Sequence, residues 1–257
     1  MKHTSLACTL RGVALAGQAV LALSVPAAVA QDGFLFDEPR VTLGARGGFN
    51  LAAANSDVYG FFTEQLTLEH DDFSGVALLG EVGMRVAPRL DLVGGVGYTS
   101  TRPRSESRTH EGTDGLPIAQ TTRLYRVPVT VMLKYYLVPR GRTIGRHAWI
   151  PAGVTPYVGI GGGALYYELG QSGEFVDFQT CDAENVCEIF SASLESTGWT
   201  PTAHVAGGAD FWLSPRFALS LEARYQWASA ALHSDFIGFD DIDLRGLVST
   251  VGVSMRF

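Results

Sequence analysis

Charge is scarce in this chain of 257 residues: Asp, Glu, Lys and Arg make up 18%, against about a quarter in ordinary water-soluble domains. The few charges sum to −7, which argues against nucleic acid as a partner. Past residue 30 there is no continuous apolar run of roughly 20 residues, so a membrane helix is not expected in the body of the chain. Cysteine is nearly absent too, with Cys8, Cys181 and Cys187 the only three. Glycine, by contrast, is plentiful at 30 residues and recurs inside apolar stretches. Glycine inside a helix costs about 1 kcal/mol relative to alanine, so this placement favours packed strands.

The first 30 residues read as an export signal. Lys2 and Arg11 form a basic start, Val13 to Val25 a short apolar run, and Ala28-Val29-Ala30 a small-residue cleavage site. The run is short for a membrane helix, and too little apolar sequence precedes Cys8 for a lipoprotein anchor. The expected division is a signal peptide over 1–30 and one domain over 31–257. Export to an oxidising compartment leaves Cys181 and Cys187, which read as a disulfide closing a short loop; a metal site is the alternative, with no histidine nearby.

The body of the chain alternates with period two. Phe217, Leu219, Leu221, Ala223, Tyr225 and Trp227 fall on one face, and Ala218, Ser220, Glu222, Arg224 and Gln226 on the other. Leu247, Val251, Val253, Met255 and Phe257 oppose Gly246, Thr250, Gly252, Ser254 and Arg256 in the same way, and Val127 to Tyr135 repeat the pattern against Arg126, Thr130 and Lys134. Successive strand side chains point to opposite faces, so each segment has one apolar and one polar side. A half-buried sheet in a soluble sandwich alternates too. Three features favour the membrane instead: long strands, aromatic residues near strand ends (Tyr98, Tyr125, Tyr135, Tyr166, Trp212, Tyr225, Trp227), and connections that are alternately tight and long. The pattern predicts strands over 39–51, 73–87, 90–102, 121–137, 154–169, 198–212, 216–230 and 244–257. Segments 52–72, 103–120, 170–197 and 231–243 are then long polar outer loops, and 138–153 a long basic turn on the side of the termini. The expected fold is all-β: an eight-stranded antiparallel up-and-down transmembrane β-barrel.

The last strand, Gly252-Val253-Ser254-Met255-Arg256-Phe257, resembles the closing strand of outer-membrane barrels. Pro156 to Gly163 and Gly207 to Arg216 resemble middle strands of OmpA/OmpX-type and opacity-protein barrels. The resemblance is generic to that superfamily. It implies a bacterial outer-membrane location, lipid and lipopolysaccharide around the wall, and Phe257 as the mark read by the barrel-insertion machinery. A single chain can close such a sheet on itself, so a monomer is expected.

On this register Arg46, Glu81, Arg85, Asp91, Arg126, Lys134, Asp210, Glu222 and Arg224 face the lumen. Eight strands leave room for side chains or one small ligand. Buried charges are tolerated when paired, so a plugged polar core is expected, with a gated ion path as the rival. The outer loops carry mostly acid, densest over Phe236 to Asp243, which lacks the spacing of a calcium loop. His70, His110 and His233 sit on separate loops, and the aromatics Phe61, Phe62, Phe175 and Phe178 suit either adhesion or loop packing. His204 and Ser196 carry no nucleophile-elbow motif, and the Gly159 to Gly163 run has neither the lysine nor the helix of a phosphate loop. The expected function is a non-enzymatic barrel with a structural or surface-interaction role and no cofactor. The alternative is a small pore or lumenal binder for ions or small apolar molecules, and a lipid-modifying enzyme is a distant third.

Overall fold

A computed structural model describes residues 35, 38–112, 115–145, 148–177, 180 and 187–257; the predicted signal segment and Cys181 lie outside them. The elements in chain order are β1 (Val41–Ala52), α1 (Asp57–Gln65), β2 (Gly75–Ala87), β3 (Leu90–Thr101), β4 (Arg104–Glu111), β5 (Pro117–Tyr136), β6 (Gly141–Ile144), β7 (Ala148–Pro151), β8 (Val154–Asp177), β9 (Glu188–Trp212), β10 (Phe217–Trp227), β11 (Ser229–Ala230), β12 (Ile242–Asp243) and β13 (Gly246–Arg256). Eight of them, β1, β2, β3, β5, β8, β9, β10 and β13, pair antiparallel in sequence order, and β13 returns to β1 to close the ring. At the seam Thr42 pairs with Arg256, and the terminal Phe257 donates its N–H to the Val41 carbonyl at 2.9 Å. The predicted eight-stranded barrel is therefore the observed fold.

The alternation sorts solvent and interior as expected. Ile160, Val76 and Val253 are 64%, 60% and 59% exposed on the outside, while Arg46, Glu81, Lys134, Asp210, Glu222 and Arg224 are buried inside. Such an apolar exterior around a charged interior inverts a soluble protein and matches a lipid-facing wall. On β5, Tyr125 and Tyr135 both face outward about ten residues apart. That is about 25 Å along the barrel axis for a tilted strand, the height of a membrane-spanning apolar band.

Strand ends depart from the sequence reading where pairing, rather than burial pattern, decides them. Residues 170–177 and 188–197, predicted as loop, continue β8 and β9, which pair without a break from Val154↔Phe211 to Asp177↔Glu188. Polar residues on both faces hide such a strand from a period-two test. β4 adds a further short strand against β5, again from a segment predicted as loop. On the side of the termini, the 138–153 turn is a small hairpin, β6 with β7.

The predicted first loop contains α1. Val58, Tyr59 and Phe62 fall on one helical face and are buried, and Leu66 follows one turn later. Asp57 opens the helix, where a carboxylate is favoured by the helix dipole. After it, the Glu69 N–H donates to Asp72 at 2.9 Å and fixes the 3-10 turn His70–Phe73 that drives Phe73 inward. Phe73 lies 4.6 Å from the Tyr59 ring and 6.3 Å from Phe62, and Phe62 meets Phe236 from the fourth connection. With Leu232, Ile242 and Leu244 from the fourth connection and Leu124, Leu165 and Leu169 from the inner faces of β5 and β8, these residues form the main hydrophobic core. It fills the barrel mouth like a stopper.

Candidate functional site: a sealed lumen

Four side chains meet midway down the barrel. Arg46 from β1 lies 2.5 Å from Glu81 on β2 and 2.6 Å from Glu222 on β10, and Arg224 lies 2.7 Å from Glu81 and 2.9 Å from Glu222. Each carboxylate touches both guanidiniums, so the square is neutral although every member is buried. Tyr157 adds a hydrogen bond to Glu222 at 2.8 Å. Strands β2, β1 and β10, close together in the ring with only β13 between the last two, supply these groups because positions two apart on a strand share a face and the register brings them near one height.

A second set lies closer to the termini. Lys134 reaches Asp210 at 3.1 Å, and the same carboxylate accepts from Tyr136 at 3.2 Å and Ser220 at 2.7 Å. Lys134 also stands 3.6 Å over the Tyr157 ring. Below it, Asp91 accepts twice from Arg140, at 2.7 and 2.9 Å. Arg140 belongs to the 138–153 segment, expected to be a long basic turn. The β6–β7 hairpin instead tucks it under the barrel, where a bidentate carboxylate compensates its burial. Arg85, predicted for the lumenal network, pairs at the rim with Glu38 rather than with the central square.

Two further predicted positions need correction. Trp212 was expected in an outer aromatic girdle, but it points inward, donates to Thr155 at 3.1 Å and carries the Arg256 guanidinium 3.3 Å over its ring. Arg126 is lumenal as predicted but, among the described residues, forms no ion pair with a carboxylate there. With its amide oxygen turned inward, Asn50 accepts from Arg126 at 2.6 Å, and the Phe73 carbonyl lies 3.4 Å away. Arg126 thus ties the floor of the apolar stopper to the polar lumen. Alternation puts Trp212 on the face of Asp210, so its inward turn was legible in the sequence and its aromatic character misled the girdle assignment, whereas the partner of Arg126 was not, because alternation assigns a face and not a partner.

What space remains is small. A cavity of about 30 Å³ lies between stopper and square, touching Asn50, Arg126, Glu222 and Arg224. Another of about 20 Å³ lies between the square and Asp91. They hold about two or three waters and one or two waters respectively, since a water needs about 10–15 Å³ by this measure. His204 is lumenal as expected, and among the described residues its ring nitrogens have no partner. Ser196 accepts from the His233 backbone N–H at 2.9 Å instead of approaching an imidazole.

The outer-loop candidates fall apart in space or serve packing. His70 contacts the Ala54 carbonyl at 3.1 Å and His110 the Thr109 hydroxyl at 2.9 Å; among the described residues no three acid, histidine or cysteine side chains converge as a metal site. Phe62 is buried in the stopper, Phe61 lies 5.4 Å from Phe239, and Phe175 lies 6.0 Å from Phe190. Phe178 lies outside the described residues. Cys187 is disulfide-bonded.

The densest acidic segment works as a clasp. Asp243 accepts from the Arg245 side chain at 2.9 Å and from the Asn55 N–H at 3.2 Å, and its own N–H donates to Ser56 at 3.1 Å. Tyr59 donates to the Asp243 carbonyl at 3.0 Å, and burial pushes its phenol pKa up. Burial alone would raise the Asp243 carboxyl, but the hydrogen bonds from Arg245 and Asn55 outweigh it and hold the pKa below the ordinary aspartate value. A depressed folded-state pKa contributes stability above the unfolded pKa and loses it as pH falls through the folded one. The clasp is therefore expected to be intact at neutral pH and to loosen as pH drops below about 4. Amide exchange over 53–74 and 228–245, corrected for intrinsic rates, should show the opening; equal protection at pH 7 and pH 3 would contradict it.

No family model matches the chain, and no curated protein does. Among solved structures it is similar to Neisserial surface protein A, at 15% identity and TM-score 0.42, covering 88% of this chain and 98% of that one. It is also similar to the attachment invasion locus protein Ail of Yersinia pestis, at 15% identity and TM-score 0.40, with 86% and 100% covered. A major outer membrane protein from Thermus thermophilus aligns at 12% identity and TM-score 0.45, with 86% and 100% covered.

Proposed function

We propose that this chain is a closed, non-enzymatic barrel of the bacterial outer membrane whose working surface is the sheet that rises above the membrane. The lumen carries the first half of that reading. Two unlike barriers lie in series, an apolar stopper and a neutral square of buried charge, and the spaces beside them are water-sized. A conducting path would need both moved.

The second half rests on β8 and β9, which run 24 and 25 residues, whereas about 9–11 suffice to span a bilayer. The excess lies at the loop end and extends about 30 Å past the aromatic belt. Pairing of β9 with β10 stops at Ala203↔Trp227. From there to Glu195 side-chain bonds to residues 227–235 cover the β9 edge, among them Thr202 to the Trp227 carbonyl and Glu195 N–H to Asp235. Among the described residues no strand pairs that edge beyond Glu195, over 189–193. Such an edge offers main-chain donors and acceptors to an extended partner segment. In this reading residues 1–30 direct export, Phe257 is recognised during insertion, Cys181 is the partner of Cys187, and the chain is a monomer among outer-membrane lipids.

Three measurements test it. The folded chain should migrate differently on a gel before and after boiling and should fractionate with the outer membrane; a periplasmic, heat-insensitive protein would sink the reading. In planar bilayers it should be silent, and steady single-channel conductance would favour the pore. Replacing 171–194 by a short turn should leave heat-modifiable folding intact while abolishing the surface attachment that expression of the parent confers on cells; attachment equal to the parent's would remove the role from this sheet.

A further inference from the structure

We propose that Arg102, Arg104 and Arg123 form a docking strip on the outer barrel wall for the phosphorylated headgroup of an outer-leaflet glycolipid. The inference rests on the outer-membrane reading and adds a binding site to it.

The register puts the strip on the outside. Along β5 the even positions Gln120, Thr122, Leu124 and Arg126 are buried, so Thr121, Arg123 and Tyr125 face away from the lumen. Arg104 pairs with Thr121 and shares its outward face, and Thr101 pairs with the inward Leu124. Arg102 follows directly and is exposed. Just below, Tyr98 and Tyr125 stack at 6.2 Å in the aromatic belt. The arginines thus stand where acyl chains give way to headgroups.

The neighbouring strand leaves room for this arrangement. Arg123 faces Gly170 on β8, and a side-chain carbon at Gly170 would come within 3.1 Å of the guanidinium. The bare backbone lets Arg123 lie along the wall. It forms one ion pair, with Glu168 at 3.8 Å, which is longer than a hydrogen bond and part-exposed, so it engages the guanidinium weakly.

Charge completes the case. The cations that reach the surface at this end of the described barrel are Arg102, Arg104, Arg108 and Arg245, all exposed, and Arg123, half-buried against the wall with 26% of its side chain exposed. Arg245 is committed to Asp243, and Arg108 donates to the Thr63 and Leu66 carbonyls. The other three share one wall, with Glu106 two pairing steps further out on the same face and acidic loops around it. Phosphate is the anion a guanidinium fork binds best, and a lipid-borne phosphate arrives at this height with its chains against the apolar belt. A soluble anion would gain nothing from the tyrosines below.

The test uses the full folded chain in detergent micelles and measures affinity for bisphosphorylated lipid A and for the same lipid with both phosphates removed. The parent should prefer the phosphorylated form. The triple variant R102Q/R104Q/R123Q should lose roughly fivefold per arginine, on the order of a hundredfold together, for that form alone. A control triple at the opposite end, R89Q/R142Q/R216Q, should bind like the parent. Equal affinity of the parent for both lipids, or equal losses in the two triples, would overturn the strip. Complete displacement by inorganic phosphate from both the parent and the triple variant would also overturn it. Heat-modifiable migration of every variant separates these outcomes from failure of the barrel reading itself.

Discussion

Replacing Glu222 by glutamine should lower the unfolding free energy by about 3–5 kcal/mol, the cost of leaving a buried charge without its partner. Glu222 touches both Arg46 and Arg224 and accepts from Tyr157, so its neutralisation leaves two cations sharing Glu81 alone. Urea unfolding from lipid vesicles, followed by gel mobility, gives the loss directly. Pairing E222Q with R224Q should restore part of it, because one of the two orphaned cations is removed with it. The doubly neutralised E81Q/E222Q should be weaker still, yet silent in bilayers while the stopper stays seated. Unchanged stability together with new conductance would mean that the square is a gate and not a structural plug.

The stopper should fail separately. Phe73→Ala removes the ring at the centre of the Tyr59, Phe62 and Phe73 cluster, and truncating a buried phenylalanine costs about 3–5 kcal/mol. That loss should fall on the loop assembly, because the strand ladder beneath is paired independently all the way round. Limited proteolysis should cut within 53–74 and 228–245 far faster than in the parent, with the heat-modifiable barrel band retained. A variant that loses the barrel band would show that stopper and barrel fold as one unit. One whose loops resist protease like the parent would show that Phe73 does not hold the stopper.

How far the chain could be read in advance depended on which medium each residue meets. Residues 217–227 and 246–256 were legible because lipid lies on one side and packed polar groups on the other, which writes a period of two into the sequence. The last turns of β8 and β9 stand in water on one or both faces, so nothing forces alternation there and they read as loop. The helix α1 was legible in principle, since Val58, Tyr59, Phe62 and Leu66 keep helical spacing, but the polar residues around them masked so short an element.

The amino-acid order by itself determined the barrel, its eight strands, its lipid-facing wall and the identity of most lumenal charges, because strand periodicity converts directly into inside and outside. It could not say which charge meets which. The square of Arg46, Glu81, Glu222 and Arg224, the withdrawal of Arg140 beneath the barrel, the seat of Arg256 over Trp212 and the stopper across the mouth depend on register and on contacts between distant segments. The physical reason is the same in each case: a face is a local property of one strand, whereas a partner is set only when the sheet closes and brings non-neighbouring strands to the same height.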